Sequence, residues 1–172
     1  LRDRRREIAK ESLQIVAVQQ QLVERVLAPL RVAHAFINGP ALAQAYYGDV
    51  AWRRCRDIDV LVDPERIADV GEALATAGYE IANAAWKSFR QRRLASFSRY
   101  CSALEMRSPM GVLVELHRSA DSTGCIFYTT ELLHRAVTVE GARFRWRMLS
   151  PADMFVYVCY HHARHAWSSL HW

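Results

Sequence analysis

Lysine is nearly absent from this chain. Of 23 basic residues only Lys10 and Lys87 are lysine, so the cationic surface is built from arginine. Paired cysteines are missing as well: Cys55, Cys101, Cys125 and Cys159 are widely spaced and form no C-x-x-C. That excludes a zinc ribbon, a thioredoxin-type motif and a disulfide-built miniprotein. Scattered thiols fit a reducing compartment, and a cytoplasmic protein is expected. No run approaches the roughly 18 consecutive apolar residues of a spanning helix, so a membrane span is excluded. With 7 glycines and 5 prolines, collagen-like and low-complexity chains are excluded too. There is no internal repeat and no N-terminal signal segment. Leu1 is not a start methionine and Trp172 ends the chain inside a helical stretch, so a trimmed chain is expected.

What remains is 172 residues, 51% hydrophobic and 24% charged, the balance of one globular domain with a real core. The 23 basic and 18 acidic residues leave a net charge of +5. A surplus of this size suggests an anionic partner without naming it; phosphate, nucleic acid and membrane headgroups all fit. Arginine presents a planar fork suited to phosphate and carboxylate oxygens.

The spacing of apolar residues predicts a helix over 4–28, closed by Pro29, then a short strand over 34–38. That strand runs into Gly39-Pro40 and a helix over Ala41–Tyr47, an order that aims backbone N–H groups at an anion. DIDVLV, 57–62, reads as a second strand. Asp63 is expected to cap a helix with Pro64 at its first position, ending near Ala77 and Gly78. Another strand begins at Tyr79. Residues 83–97 lack a clean period and read as an exposed excursion carrying Lys87, Arg90, Arg92 and Arg93. Strands over 98–106 and 112–117 flank a hairpin connection at Ser108–Gly111. A short helix over 130–136, a hairpin around Glu140-Gly141 and a last helix opened by Ser150-Pro151-Ala152-Asp153 complete the chain.

The chemistry concentrates at Asp57-Ile58-Asp59. Side chains at i and i+2 of a strand share a face, so both carboxylates point one way and Ile58 the other. Like charges this close are tolerated when a cation sits between them or water screens them; the apolar run that follows weakens the second explanation. Hard oxygen donors of this kind suit Mg²⁺. The plain alternative is a pair of acids at a strand end, one capping a turn and one paired with Arg53, Arg54 or Arg56. In Val114-Glu115-Leu116-His117, Glu115 and His117 share a face in the same manner. If this strand lies beside DIDVLV, Glu115 completes a three-carboxylate cluster, which can hold two Mg²⁺ ions that activate an attacking hydroxyl and brace a triphosphate. His117 could orient a phosphate, accept a proton or simply pack. His161 and His165 are spaced i,i+4, but no H-E-x-x-H is present, so they read as pocket lining or packing. Trp52, Trp86 and Trp146 read as core or rim.

These segments together resemble the uncharacterised nucleotidyltransferase family of bacteria, a branch of the DNA polymerase β-like nucleotidyltransferase superfamily. The matching stretches are FINGPALAQAYY (36–47), RRCRDIDVLVDPERIADVGEALATAGYE (53–80), GVLVELHRS (111–119) and LSPADMFVYVCYHHARHAWSSLHW (149–172). The resemblance implies an α+β fold: a short mixed β-sheet of the polymerase β-like type with helices packed on it and a C-terminal helical portion closing the cleft. It divides the chain into an N-terminal helix (1–30), a nucleotidyltransferase core (31–148) and the start of a C-terminal helical region (149–172). By resemblance Asp57, Asp59 and Glu115 are the catalytic, metal-binding acids, with Mg²⁺ as cofactor and an NTP as co-substrate. Asn38, Gly39, Arg53, Arg54, His117 and His165 are assigned to the nucleotide. The acceptor is expected to be a small molecule, sugar or peptide, with nucleic acid a lesser alternative suggested by the charge and by Arg90–Arg93. Two positions depart from the family's pattern. Asn38 stands where a lysine is usual, a charge that Arg54 or Arg56 could replace, and Pro40 has no N–H to donate. Those departures motivate a second alternative, a catalytically weak or inactive binding module.

Overall fold

Alternation in two short segments decides the centre of the molecule. In the computed structural model, which describes residues 2–82, 103–141 and 144–164, DIDVLV forms strand β2 (Asp57–Val62) with the bounds its pattern predicts. The VELH segment forms β5 (Leu113–His117). The two pair in parallel, Asp57 opposite Leu113, Asp59 opposite Glu115 and Leu61 opposite His117. Around them lies one seven-stranded mixed sheet in the order β3-β4-β5-β2-β1-β7-β6. Its other strands are β1 (His34–Phe36), β3 (Glu80–Ile81), β4 (Ala103–Arg107), β6 (Val137–Gly141) and β7 (Phe144–Met148). β1 joins the halves, antiparallel to β2 and parallel to β7.

Among the described residues five α-helices accompany the sheet: α1 (Arg2–Leu22), α2 (Gly39–Tyr47), α3 (Ile67–Thr76), α4 (Thr129–Arg135) and α5 (Pro151–Arg164). One sheet face is largely apolar, with His34 opposite Val62 at its β1 end. Phe36, Ile58, Val60, Val62, Val114 and Leu116 are completely buried there. Against this face α1 lays its stripe of Ile15, Val18 and Leu22, and Gln20 on the same helix accepts the Trp146 indole N–H at 3.0 Å. α3 comes equally close. A Cβ added at Gly71 would stand 2.9 Å from Leu104 Cδ2, so a larger residue there would require the leucine side chain to shift. The opposite face holds the acids.

Several boundaries differ from expectation, and β1 ends at Phe36 rather than at residue 38. α1 continues into a π-helical turn, Val23–Leu27, where Ala28 N–H reaches back to Val23 O. α2 begins at Gly39 rather than Ala41, taking Pro40 into its first turn, where a missing N–H costs nothing. Asp63 caps a separate turn: its Oδ1 accepts from Glu65 N–H and its carbonyl from Arg66 N–H, so α3 starts only at Ile67. The short helix and the Ser150 start fall within a residue of where the sequence puts them. Ser150 Oγ accepts from Asp153 N–H at 3.2 Å. The expected excursion 83–97, with Arg90–Arg93, and the first residues of the expected strand 98–106 lie outside the described residues.

Candidate active site

The parallel pairing of β2 with β5 sets Asp59 beside Glu115, with Asp57 and His117 two residues away on the same face. His117 Nε2 lies 3.0 Å from Asp59 Oδ1 and 3.5 Å from Glu115 Oε2. Donor atoms of Asp59, Glu115 and His117 all fall within 4.8 Å of one another, and each residue is only partly exposed. The charges here are far from their ordinary balance. Burial, reinforced by repulsion from Asp59 and Glu115, pushes the Asp57 carboxyl up to about 6, against the pull of Arg53. Burial disfavours a charged His117, but its bonds to Asp59 and Glu115 outweigh that and raise it to about 9. Near neutrality the imidazolium is therefore the local counter-charge to the acids.

The glycine turn stands next to this cluster. Ile37 N–H donates to Asp59 O, which continues the β1–β2 pairing towards Asn38 and Gly39. Gly39 has φ +73°, and a Cβ there would sit 3.5 Å from the Asp57 carbonyl oxygen. Asn38 precedes the helix with extended backbone, its Oδ1 buried without a hydrogen-bond partner among the described residues. Arg53 is close enough to counteract the rise of Asp57. Arg54 is held elsewhere, its guanidinium forked onto both carboxylate oxygens of Glu11 on α1 at 2.8 and 3.0 Å. His165 lies outside the described residues.

Three further groups belong to the neighbourhood. Glu105 pairs with Glu115 across β4 and β5 and so shares the acid face; its alternate position in the expected strand 98–106 was the available signal. Tyr157 of α5 is buried, and its phenol is raised first by burial and then by the charges of Asp59 and Glu115. Tyr157 is therefore the α5 residue nearest the acids in charge terms, and it packs edge-on against Phe127. Cys55, buried two residues before Asp57, is pushed up to about 11 by burial and stays a neutral thiol.

A family model described as uncharacterised nucleotidyltransferase matches residues 1–172. The chain belongs to that family. No curated protein matches it significantly. This nucleotidyltransferase thus places its acids, its histidine and its glycine turn within one corner of a mixed sheet. The donor set fits a divalent cation, since mutually repelling, half-buried carboxylates converge with an imidazole nitrogen. Other described features stay outside that corner. His161 meets Tyr157 ring to ring, and His162 is buried in α5. Cys125 and Cys159 are free thiols, as is Cys55 beside the acids. Among the described residues no helix is long and apolar enough to cross a membrane.

Proposed function

We propose that this nucleotidyltransferase moves a nucleoside monophosphate from an NTP to a hydroxyl or phosphate of a small molecule, sugar or peptide, and that it depends on Mg²⁺. The observation that carries the reading is the pairing of Asp59 with Glu115 beside the Gly39 turn. It brings acid donors and a phosphate-facing helix start to one place. The polymerase β-like superfamily, suggested by the sequence motifs, is the natural setting for such a combination.

Asp59, Glu115 and His117 would hold the metal, with Asp57 flanking them. When bound, a divalent ion supplies charge stabilisation for the transferring phosphoryl group. The protein does the rest by position. The α2 N-terminus and the Gly39 N–H orient the triphosphate, and Arg53 adds positive charge beside Asp57. Tyr157 and Phe127 limit water at the acid face. His117 holds a proton between the two carboxylates; to serve as a metal ligand it would have to release that proton to solvent and act as neutral imidazole.

Transfer from each of the four labelled NTPs, tested across candidate acceptors with Mg²⁺, Mn²⁺ or Zn²⁺, decides the matter. Wild-type protein is expected to turn over, and Asp59→Asn to lose roughly 10²-fold or more, the scale of several kcal/mol of lost charge stabilisation. An Asp59→Asn protein with full activity would sink the mechanism, whereas turnover of any NTP rejects a binding-only role.

A further inference from the structure

The first turn of α2 is short of donors. A helix start offers its leading N–H groups to an anion, but Pro40 takes one of those positions and has no N–H. Beside the same turn, on α1, lies Gln19. It is completely buried, at 0% exposure, yet neither its Nε2 nor its Oε1 meets a hydrogen-bond partner among the described residues. Its Oε1 stands 4.0 Å from the point that a Gly39 Cβ would occupy, and the Asp57 carbonyl oxygen stands 3.5 Å from that point. The amide therefore borders the turn, its oxygen at contact distance from the side-chain position that Gly39 leaves empty. Its neighbours along the helix stripe are Ile15, Val18 and Leu22, all buried and apolar. An unpaired amide in such a stripe is costly, and an apolar side chain of the same size would carry no such cost. The placement is accounted for if the amide finds its partner in a ligand.

We propose that Gln19 is a binding residue of the polyphosphate subsite, donating from Nε2 to a phosphate oxygen at the α2 N-terminus in place of the N–H that Pro40 lacks. The inference rests on the nucleotidyl-transfer reading given above. A neutral amide suits the position, because Arg53 already brings positive charge beside Asp57 and the amide adds direction rather than charge. Turning the terminal amide about its last bond presents Nε2 instead of Oε1 to the turn.

Calorimetry with inorganic tripolyphosphate and Mg²⁺ tests it, comparing wild type with Gln19→Met. Losing one hydrogen bond to a charged group should weaken binding about tenfold or more. The melting temperature should hold or rise, because an unpaired polar group has been removed from the core. A merely structural Gln19 would show the opposite pattern: altered stability with unaltered affinity. Wild-type-like binding by Gln19→Met overturns the inference while leaving nucleotidyl transfer standing. If wild-type protein binds neither tripolyphosphate nor any of the four NTPs, the nucleotidyl-transfer reading itself falls, and this inference with it. A second measurement needs no variant. In ¹⁵N-labelled wild-type protein the Gln19 side-chain amide protons should shift on addition of tripolyphosphate; unmoved resonances in a protein that binds it would also overturn the assignment.

Discussion

Asp121 shows how a single side chain can hold the segment that leaves the site. It follows His117 by four residues and is buried. It accepts from the hydroxyls of Ser119 and Thr123 and from the N–H groups of Thr123, Cys125 and Phe127. Burial opposes its ionisation, but the bonds from Thr123, Phe127, Ser119 and Cys125 prevail and hold it at about 2. A carboxyl depressed in the folded state stabilises the protein above its unfolded pKa and loses that contribution as pH falls through the folded one. Wild-type protein should therefore shed about 2 kcal/mol between roughly pH 4 and pH 2. Asp121→Asn should be less stable at neutral pH and nearly flat across that window. Urea titrations at three pH values check both. At this scale the sequence was legible where chemistry and period coincide. Asp57, Asp59, Glu115 and His117 announce themselves by i,i+2 spacing, because a strand fixes which way each points. Asp121 gives no such sign, since its role depends on contacts that only the folded chain makes; nor does Gln19, whose burial without a partner appears only in the folded chain.

Elements are positioned as firmly by their ends as by their middles. The backbone at Gly39 adopts φ +73°, a region costly for side-chain-bearing residues, while the space around an added Cβ is ordinary contact at 3.5 Å. Gly39→Ala should accordingly lose about 1–2 kcal/mol of stability from conformation alone. It should also weaken NTP binding as the turn shifts; chemical denaturation and calorimetry measure the two effects separately. At α5 the Ser150 hydroxyl accepts the Asp153 N–H, and Arg135 of α4 grips the Asp153 carboxylate from outside. Ser150→Ala should cost about 1 kcal/mol, the usual worth of an N-cap, read from the denaturation midpoint. The caps at Ser150 and the turn at Ser108–Gly111 were readable because their residue types have one dominant local use. The start of α3 was not, because Asp63-Pro64 suits a turn and a helix start equally and the turn closed first. Nor was the π-helical turn at Val23–Leu27, whose composition is that of any helix.

The whole molecule divides its sheet between two tasks. Among the described residues α1 and α3 pack on the apolar face, and the other face carries Asp57, Asp59, Glu115, Glu105 and His117, with Tyr157 of α5 near enough to feel their charge. The strand sequence was legible from alternation, and the α+β class from the resemblance of the motifs. The order β3-β4-β5-β2-β1-β7-β6 was not, because the parallel partners of β1 and β2 lie far along the chain. The global charge of +5 proved a poor guide to the site, where carboxylates predominate and Arg53 is the arginine whose charge reaches Asp57. A protein that carries this repulsion should gain from a cation. Adding Mg²⁺ at a hundred times its Kd should stabilise the protein by about 2.7 kcal/mol, seen as a rise in melting temperature. Asp59→Asn should abolish that rise.

The β2–β5 register has one more consequence. Asp59 meets Glu115 only because the two strands are paired in one particular alignment. A slip of a single residue would turn one acid towards α1 and α3 and leave the other alone. If the acids hold a cation as proposed, its affinity would be a quality mark of folding: a preparation with normal helix content but no metal binding would reveal misaligned strands, which ordinary spectroscopy would pass over.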